Sequence, residues 1–515
     1  PPRTLVRPGA GLSQSAYDPS MGVRERVGFA RDRDVTLGGF LERLAQVHGD
    51  TPLVHEDGDD GLVLTYTQAA DQVDRWAGAL RARAGRGEPI VVALPNGYAL
   101  FLACLAASRA GNLAVPVNPK MRPEEIDHVV ADAGAALVVR DLADLDGADP
   151  VEAAPAQPDD VAALFYTSGT TGKPKGAELT HKSLVGRVGA AALYPSGLRR
   201  DEAVSGLPVA HIAGFAMLVQ LAALGVPVYL LRRFRPDDAL DAIETRRATI
   251  FVGVPAMYRM MLEAGAEQRD LSSVRMWASG ADAMPVDLAR KFQSLGRGAS
   301  VFGRTVGRAT FVDGYGMVEL GGGAALGVIP PAGPAGMLRI PLPGYKLRVV
   351  DDRGEEIPRG EVGELVVKGP GVMRGYHGQQ DATAETMTPD GWLRTGDLAR
   401  RGRLGLIEFA GRKKDVIKHG GYSVFAAEVE AALEEHDDVV EAAVVGVPDA
   451  RKGEVPCAAV RLGERGSATG DDLVAWAEQR LSDYKVPRRV LVVDDLPRTG
   501  TDKVRKADVR TLFEP

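Results

Sequence analysis

Apolar positions in residues 62–140 switch between two periods. Val73, Trp76, Ala77 and Leu80 fall on one face of a helix, and residues 90–94 make a short apolar run suited to a buried strand. Residues 99–110 read as a helix stopped by Gly111, 113–117 as a strand, Pro123 as the start of another helix, and 136–139 as a third strand. This rhythm predicts a βαβαβ unit around a mostly parallel, buried sheet. A second α/β run carries strands at 226–231, 248–255 and 274–281, with a helix after Pro255. From 334 to 410, Gly and Pro punctuate short alternating runs such as YKLRVVDD and GELVVKGP, which predict antiparallel strands in a small barrel or sheet. The remainder reads as a compact α+β module. It has a helix over 427–435, strands over 439–447 and 456–462, and a capping box of Thr469 and Asp472 ahead of Leu473, Trp476, Ala477 and Leu481. The expected fold class is therefore α/β: a large N-terminal domain of two α/β sheet subdomains plus a small β subdomain, and a small α+β C-terminal domain. The boundary falls near Arg412 to Lys414, giving domains of residues 1–412 and 413–515.

The longest apolar run, residues 215–231, is interrupted by Gln220, Gly225 and Pro227, so a helix followed by a buried strand explains it better than an integral membrane segment. A length of 515 residues exceeds what one core serves, and 45% apolar with 25% charged residues is ordinary globular composition. The net charge of -7, with both signs mixed throughout, argues against a nucleic-acid partner. Cys104 and Cys457 each sit in apolar surroundings far apart in sequence, which predicts buried thiols and a reducing, cytoplasmic location. Histidines and cysteines show no zinc-ligand spacing. The opening PPRTLVRPGAGLSQSAYDPS is polar and shows no signal-peptide pattern.

Residues 166–181, YTSGTTGKPKGAELTH, lie between an apolar strand and what reads as the start of a helix. Thr167, Ser168, Gly169, Thr170, Thr171, Gly172, Lys173 and Lys175 crowd hydroxyls, exposed amides and cations into one loop, a donor set for phosphate. A Walker A loop needs four residues between its glycines. Here there are two, and Pro174 follows the lysine, so that register fails. The G-x-G-x-x-G of a dinucleotide site is absent from the loop as well.

TSGTTGKPKG resembles the signature of the adenylate-forming enzymes, the superfamily of acyl-CoA synthetases, peptide-synthetase adenylation domains and firefly luciferase. Further motifs similar to the family's follow in its order: LPVAHIAG at 207–214, SGAD at 279–282, GYGMVE at 314–319, LRTGD at 393–397, GRKKDVIKHGGYSV at 411–424 and PRTGTDK at 497–503. The resemblance implies a two-step reaction. A carboxylate attacks the α-phosphorus of ATP and expels pyrophosphate, then a thiol, of CoA or of an acyl carrier protein, displaces AMP from the acyl-adenylate.

It also implies roles. Tyr315, between Gly314 and Gly316, would stack on adenine, with Asp313 at the position that contacts the adenine amino group. Asp397 would accept both ribose hydroxyls, and Arg412 would reach the ribose or phosphates. Glu319 and Thr167 would hold Mg²⁺. Lys503 would neutralise charge building at the carboxylate and α-phosphate. His211 resembles a gate between acid pocket and thiol tunnel. The acid pocket would be lined by the helix from His211 through Phe215, by Gly280 and Ala281, and by Gly321 and Gly322. The small residues Gly321 to Gly323, Ala324 and Ala325 were expected to leave volume for an acyl chain or ring, fatty slightly favoured over aromatic. In the family the C-terminal domain is mobile. Lys414 matches the hinge, Lys418 lies on the face for the second half-reaction, and Gly421 matches the glycine that lets the pantetheine arm pass. A monomer or homodimer is expected.

Three positions depart from the pattern. Val318 stands where the family usually has Thr or Ser, Asp502 where it has glycine, and Ala426 where it has proline. A catalytically degenerate nucleotide or acyl binder is the alternative that Val318 and Asp502 raise, and a kinase is disfavoured by the failed Walker spacing.

Overall fold

A computed structural model of the chain describes residues 23–32, 34–56, 62–167, 174–186, 188, 201–301, 304–329, 338–402, 406–449, 451–498 and 504–513. Ser168, Gly169, Thr170, Thr171, Gly172, Lys173, Asp502 and Lys503 lie outside these residues.

The βαβαβ unit forms as its pattern predicts. Leu137–Val139, Pro89–Val92, Leu113–Pro116 and Val161–Tyr166 pair side by side in parallel, and Gly176–Thr180 closes the sheet antiparallel to Val161–Tyr166. That last strand corrects the sequence reading of residues 166–181. GAELT pairs as a strand, and helix begins only at His181, where the Thr180 side chain accepts from the Ser183 N–H. The strands on either side of the glycine-rich loop therefore pair as a β-hairpin.

A second sheet holds thirteen strands. Its parallel half runs Val228–Leu230, Ala203–Ser205, Ile250–Gly253, Met276–Gly280 and Thr310–Met317. Gly322–Ile329 and Leu338–Pro341 continue it antiparallel. The antiparallel strands expected before residue 410 join this same sheet, through the pair Arg339 and Ile407. Beyond them lies a smaller sheet of Val416–His419, Tyr422–Phe425, Gly453–Leu462, Val439–Asp449 and Arg489–Val493, covered by helices Ala426–Glu434 and Gly470–Glu478.

Two largely apolar helices occupy the space between the first two sheets. They are Tyr98–Ala110, ended by Gly111 at φ 90°, and Ile212–Leu224, ended by Gly225 at φ 69°. Phe215 joins them, with its ring 5.1 Å from Phe101 and 5.2 Å from Phe165, both edge-on. A second core surrounds Tyr258, which packs on Phe251, Trp277, Phe292 and Phe311 while its hydroxyl donates to the Ala278 carbonyl at 2.8 Å. Cys104 and Cys457 are buried free thiols, and burial pushes both above the usual thiol range. None of the described helices is long and apolar enough to cross a membrane.

Helix Tyr66–Arg81 starts at a capping box of Thr65 and Gln68 and buries the predicted face of Val73, Trp76, Ala77 and Leu80. Gly78 allows the chain at Asp149 to cross it, since a Cβ there would sit 2.0 Å from the Asp149 carbonyl oxygen. Gly78→Ala gains up to about 1 kcal/mol of helix propensity, but the forced overpacking costs about 1–3 kcal/mol. Chemical denaturation is expected to show a net loss of stability; a gain would mean that residues 148–150 do not pack on this helix.

Candidate active site

The mouth of the glycine-rich hairpin is closed by backbone pairing. Thr167 N–H donates to the Lys175 carbonyl at 3.0 Å, and Lys175 N–H donates to Thr167 Oγ1 at 3.4 Å. Gly176 is needed below it, because a Cβ would stand 2.9 Å from the Tyr166 ring. Lys175 Nζ lies 5.1 Å from the centroid of the Tyr376 ring. The Tyr376 hydroxyl in turn donates to Glu319 Oε1 at 2.7 Å. Glu319 is 7% exposed and, with Thr167, Lys175 and Tyr376, lines a cavity of about 3310 Å³ that runs between the sheets and the C-terminal module. A buried carboxylate beside hydroxyl donors is a hard oxygen set of the kind Mg²⁺ takes together with phosphate oxygens.

Tyr315, Asp397 and Arg412 come together from three strands. The Tyr315 hydroxyl donates to Asp397 Oδ2 at 2.8 Å, and Arg412 Nε pairs with Asp397 Oδ1 at 2.7 Å. Asp397 is 2% exposed, while Arg412 is half-exposed and reaches the cavity. Gly314, Gly316 and Val318 line the same wall, Val318 as a buried methyl-bearing side chain in the turn Val318–Leu320.

Asp313 is placed differently from its expected role. It is 1% exposed and lies outside the cavity lining, with Oδ2 paired to Arg339 at 2.7 Å. Its partner Arg339 stacks over Phe409, whose ring lies 5.0 Å from Tyr315. Asp313 thus supports the tyrosine from behind. Burial pushes its carboxyl up to about 6 against the pull of Arg339.

The opposite wall is one face of helix Ile212–Leu224. Ile212, Ala213, Ala216, Met217, Gln220 and Leu221 face the cavity at helical spacing. His211 lines the entrance and caps this helix, Nδ1 accepting from the Ala213 N–H at 3.2 Å. Phe215 points away into the aromatic core, which corrects its reading as a pocket residue. Met276, Ala278 and Gly280 form the floor, and Ala281 turns the chain at φ 66°, a left-handed conformation that non-glycine residues rarely adopt.

The small residues were expected to leave volume, and the structure gives them another task. A Cβ on Gly316 would meet the Gly322 carbonyl oxygen at 1.9 Å, one on Gly321 the Ser183 carbonyl oxygen at 2.8 Å, and one on Gly322 the Ala216 Cβ at 2.8 Å. Gly322 and Gly323 line the cavity, whereas Gly321, Ala324 and Ala325 are packed behind it.

From the C-terminal module, Lys414, Glu430, Glu434 and the segment Val504, Arg505 and Lys506 face the cavity. Lys506 pairs with Glu430 at 2.7 Å. Arg259 of helix Pro255–Glu263 bonds Glu434 at 3.1 Å and Glu441 at 3.3 Å, and Arg461 bonds Glu263 at 2.8 Å, which fastens the module in this position. Burial raises the Glu434 carboxyl to about 7, opposed by Arg259. Lys414 is half-buried, and burial lowers its pKa. Lys418 and Gly421 do not line the cavity in this arrangement. Lys418 Nζ donates to Ser423 Oγ at 2.9 Å, and Gly421 has open space beside it at φ 88°.

Sequence reasoning missed Tyr376 and His128, both in the cavity wall. Tyr376 lies in GPGVMRGYHG, where the clustered glycines were read only as strand punctuation; His128 carries no sequence signal beyond its helix.

The model of the AMP-binding enzyme family matches residues 41–377, and that of the AMP-binding enzyme C-terminal domain matches 428–503. A feruloyl-CoA synthase of an Amycolatopsis species is 36% identical, covering 93% of this chain and 100% of that protein. A long-chain-fatty-acid–CoA ligase of Bacillus subtilis is 35% identical over 69% of this chain and 62% of its own length. The structure of the o-succinylbenzoate CoA synthetase of Bacillus subtilis with ATP and magnesium ion superposes with a TM-score of 0.78 at 26% identity, over 92% of this chain and 99% of that one.

Asp313 gives the site a titration that stability measurements can see. Its carboxyl binds a proton more readily in the folded chain, at about 6, than in the unfolded chain, whose reference is 3.8. Its contribution to stability is therefore greatest below the unfolded value and falls as pH rises through about 6. Unfolding free energies of the wild type relative to Asp313→Asn are expected to drop by roughly 1–3 kcal/mol between pH 4 and pH 7. A flat difference would place Asp313 in contact with water.

Proposed function

The chain belongs to the AMP-binding enzyme family, as an ATP-dependent, AMP-forming acyl-CoA ligase, and on that premise we propose that its acid is apolar and planar, an aryl or arylalkenoic acid. The observation that carries this reading is the apolar part of the cavity between helix Ile212–Leu224 and the strands. Ala213, Ala216 and Met217 line it from the helix, and Met276, Ala278, Gly280, Gly322 and Gly323 from the strands. Such a lining offers flat apolar contact and no charged group to an aromatic ring. The fatty-acid preference that residue size suggested has less support, since those glycines are spent on close packing. A feruloyl-CoA synthase is also among the relatives matched over their whole length, across 93% of this chain.

The acid's carboxylate oxygen attacks the α-phosphorus of ATP, the bond from that phosphorus to the bridging oxygen breaks, and pyrophosphate leaves. The CoA sulfur then attacks the acyl carbon, AMP departs, and the thiol proton passes to solvent. Lys175 and the hairpin from Thr167 hold the departing phosphates. Tyr315 presents its ring to adenine, held in plane by Asp397 and by Phe409 at its side. Asp397, held by Tyr315 and Arg412, accepts the ribose hydroxyls. Mg²⁺, held by Glu319 with Thr167 close by, would shield charge between the phosphates. Lys503 meets the carboxylate and α-phosphate. Support for this comes from Val504, Arg505 and Lys506, the residues just after it, which face the cavity. Lys418 and Gly421 face elsewhere, so the second half-reaction requires the C-terminal module to turn about Lys414 and release Arg259 from Glu434.

A pyrophosphate-release screen over aryl and fatty acids, with and without CoA, tests the reading. Pyrophosphate that depends on an aryl acid, and aryl-CoA on adding CoA, are expected. Lys503→Ala should cut adenylation by about 10²–10³-fold while a supplied aryl-adenylate is still converted to thioester. ADP in place of pyrophosphate, or equal loss of both half-reactions, would contradict the assignment. A chain that binds ATP yet releases no pyrophosphate with any acid is the degenerate binder instead.

A further inference from the structure

His128 stands on helix Pro123–Asp132, an element outside the motifs that carry the reaction. Its Nε2 lies 3.0 Å from the carbonyl oxygen of Pro174, at the foot of the glycine-rich hairpin. A carbonyl can only accept, so Nε2 carries the proton and donates. The carbonyl of Pro174 and the N–H of Lys175 belong to one planar peptide unit. Its oxygen is held by His128, and its N–H is held by Thr167 Oγ1 at 3.4 Å. Gripping a planar group at both ends fixes its rotation, and with it the direction in which Lys175 leaves the backbone. Proline adds stiffness, because its ring locks φ. One turn further along the same helix, Asp132 accepts from the Tyr166 hydroxyl at 2.8 Å, on the other strand of the hairpin. One helix thus holds both strands at the point where the loop emerges.

The geometry points to His128 as a positioning residue for nucleotide binding: it orients the Pro174–Lys175 peptide so that Lys175 meets the phosphates of ATP. It touches neither the acid pocket nor the acyl carbon. The histidine is only partly buried on a surface helix, and Val129 and Ile126 carry that helix's packing, so the fold does not depend on its side chain. The inference rests on the reading of this loop as the phosphate site.

The test titrates Mg-ATP into the wild type, H128A and H128Q by calorimetry, alongside KM for ATP, KM for the acid, and Tm. Gln keeps an N–H donor near the same place. H128A is expected to weaken ATP binding by about two- to tenfold, the span that the net worth of one hydrogen bond converts to. KM for the acid and Tm should stay at wild-type values, and H128Q should recover most of the ATP affinity. Unchanged ATP affinity in H128A, or the same loss in H128A and H128Q, would overturn the assignment. So would an equal rise of both KM values with a lowered Tm. The titration needs no turnover, so a chain that binds ATP without releasing pyrophosphate would remove the ligase reading and still decide the role of His128. A wild type that binds no ATP would overturn both.

Discussion

Asp397 gives up water on both oxygens at once, one to the Tyr315 hydroxyl and the other to Arg412 Nε. A buried carboxylate is costly unless it is paired and hydrogen-bonded, and removing either partner would strand the charge. The constraint therefore acts on three stretches of chain: the strand that ends in GYGM, the strand that carries LRTGD, and the last residues before the C-terminal module. Arg412 closes the second sheet in register with Asp397, and the turn Lys413–Asp415 leads directly into the smaller sheet. Whatever moves the C-terminal module pulls on the residue that pairs with Asp397. Tyr315 and Asp397 are thus tied through Arg412 to the residues that lead into the smaller sheet.

Behind that wall the chain spends its buried charges on orientation. Asp313 and Arg339 face each other out of water, and Arg339 spreads over Phe409, which flanks the Tyr315 ring. Asp313 Oδ1 and Arg339 Nε have no hydrogen-bond partner among the described residues, so the pair is incompletely compensated. Such a pair is weak evidence for stability; here it fixes the back of an aromatic platform. On the facing side, Gly316, Gly321 and Gly322 admit carbonyl groups and Ala216 at distances that no side chain would allow.

Much of this was legible in the sequence. Strands and helices of the first sheet, the antiparallel run before residue 410 and the capping box at Thr469 follow from period and punctuation alone. The loop's donor chemistry was readable too, and of the residues the motifs pointed to, Thr167, Lys175, His211, Tyr315, Glu319 and Arg412 line the cavity while Asp313, Phe215, Lys418 and Gly421 do not. Other features were hidden for physical reasons. Helix Ile212–Leu224 is largely apolar, so periodicity could not tell that Ala216 faces the cavity and Phe215 the core. GAELT, which ends on the capping Thr180, looks like a helix start, and only its pairing with Val161–Tyr166 makes it a strand. Asp313 and Arg339 are 26 residues apart, and His128 and Pro174 are 46 apart, so neither contact leaves a local trace. A glycine's smallness is visible in sequence, but whether it makes room or permits contact is decided by its neighbours.

The central claim is that Asp397 is the acceptor for the ribose hydroxyls and that Tyr315 and Arg412 hold it there. Comparing ATP with 2′,3′-dideoxy-ATP in acid-dependent pyrophosphate release, for the wild type and for Asp397→Ala, tests it most directly. The account predicts that the wild type loses kcat/KM strongly on losing the hydroxyls, while Asp397→Ala treats the two nucleotides alike. Equal use of both nucleotides by the wild type, or an undiminished preference in Asp397→Ala, would contradict it.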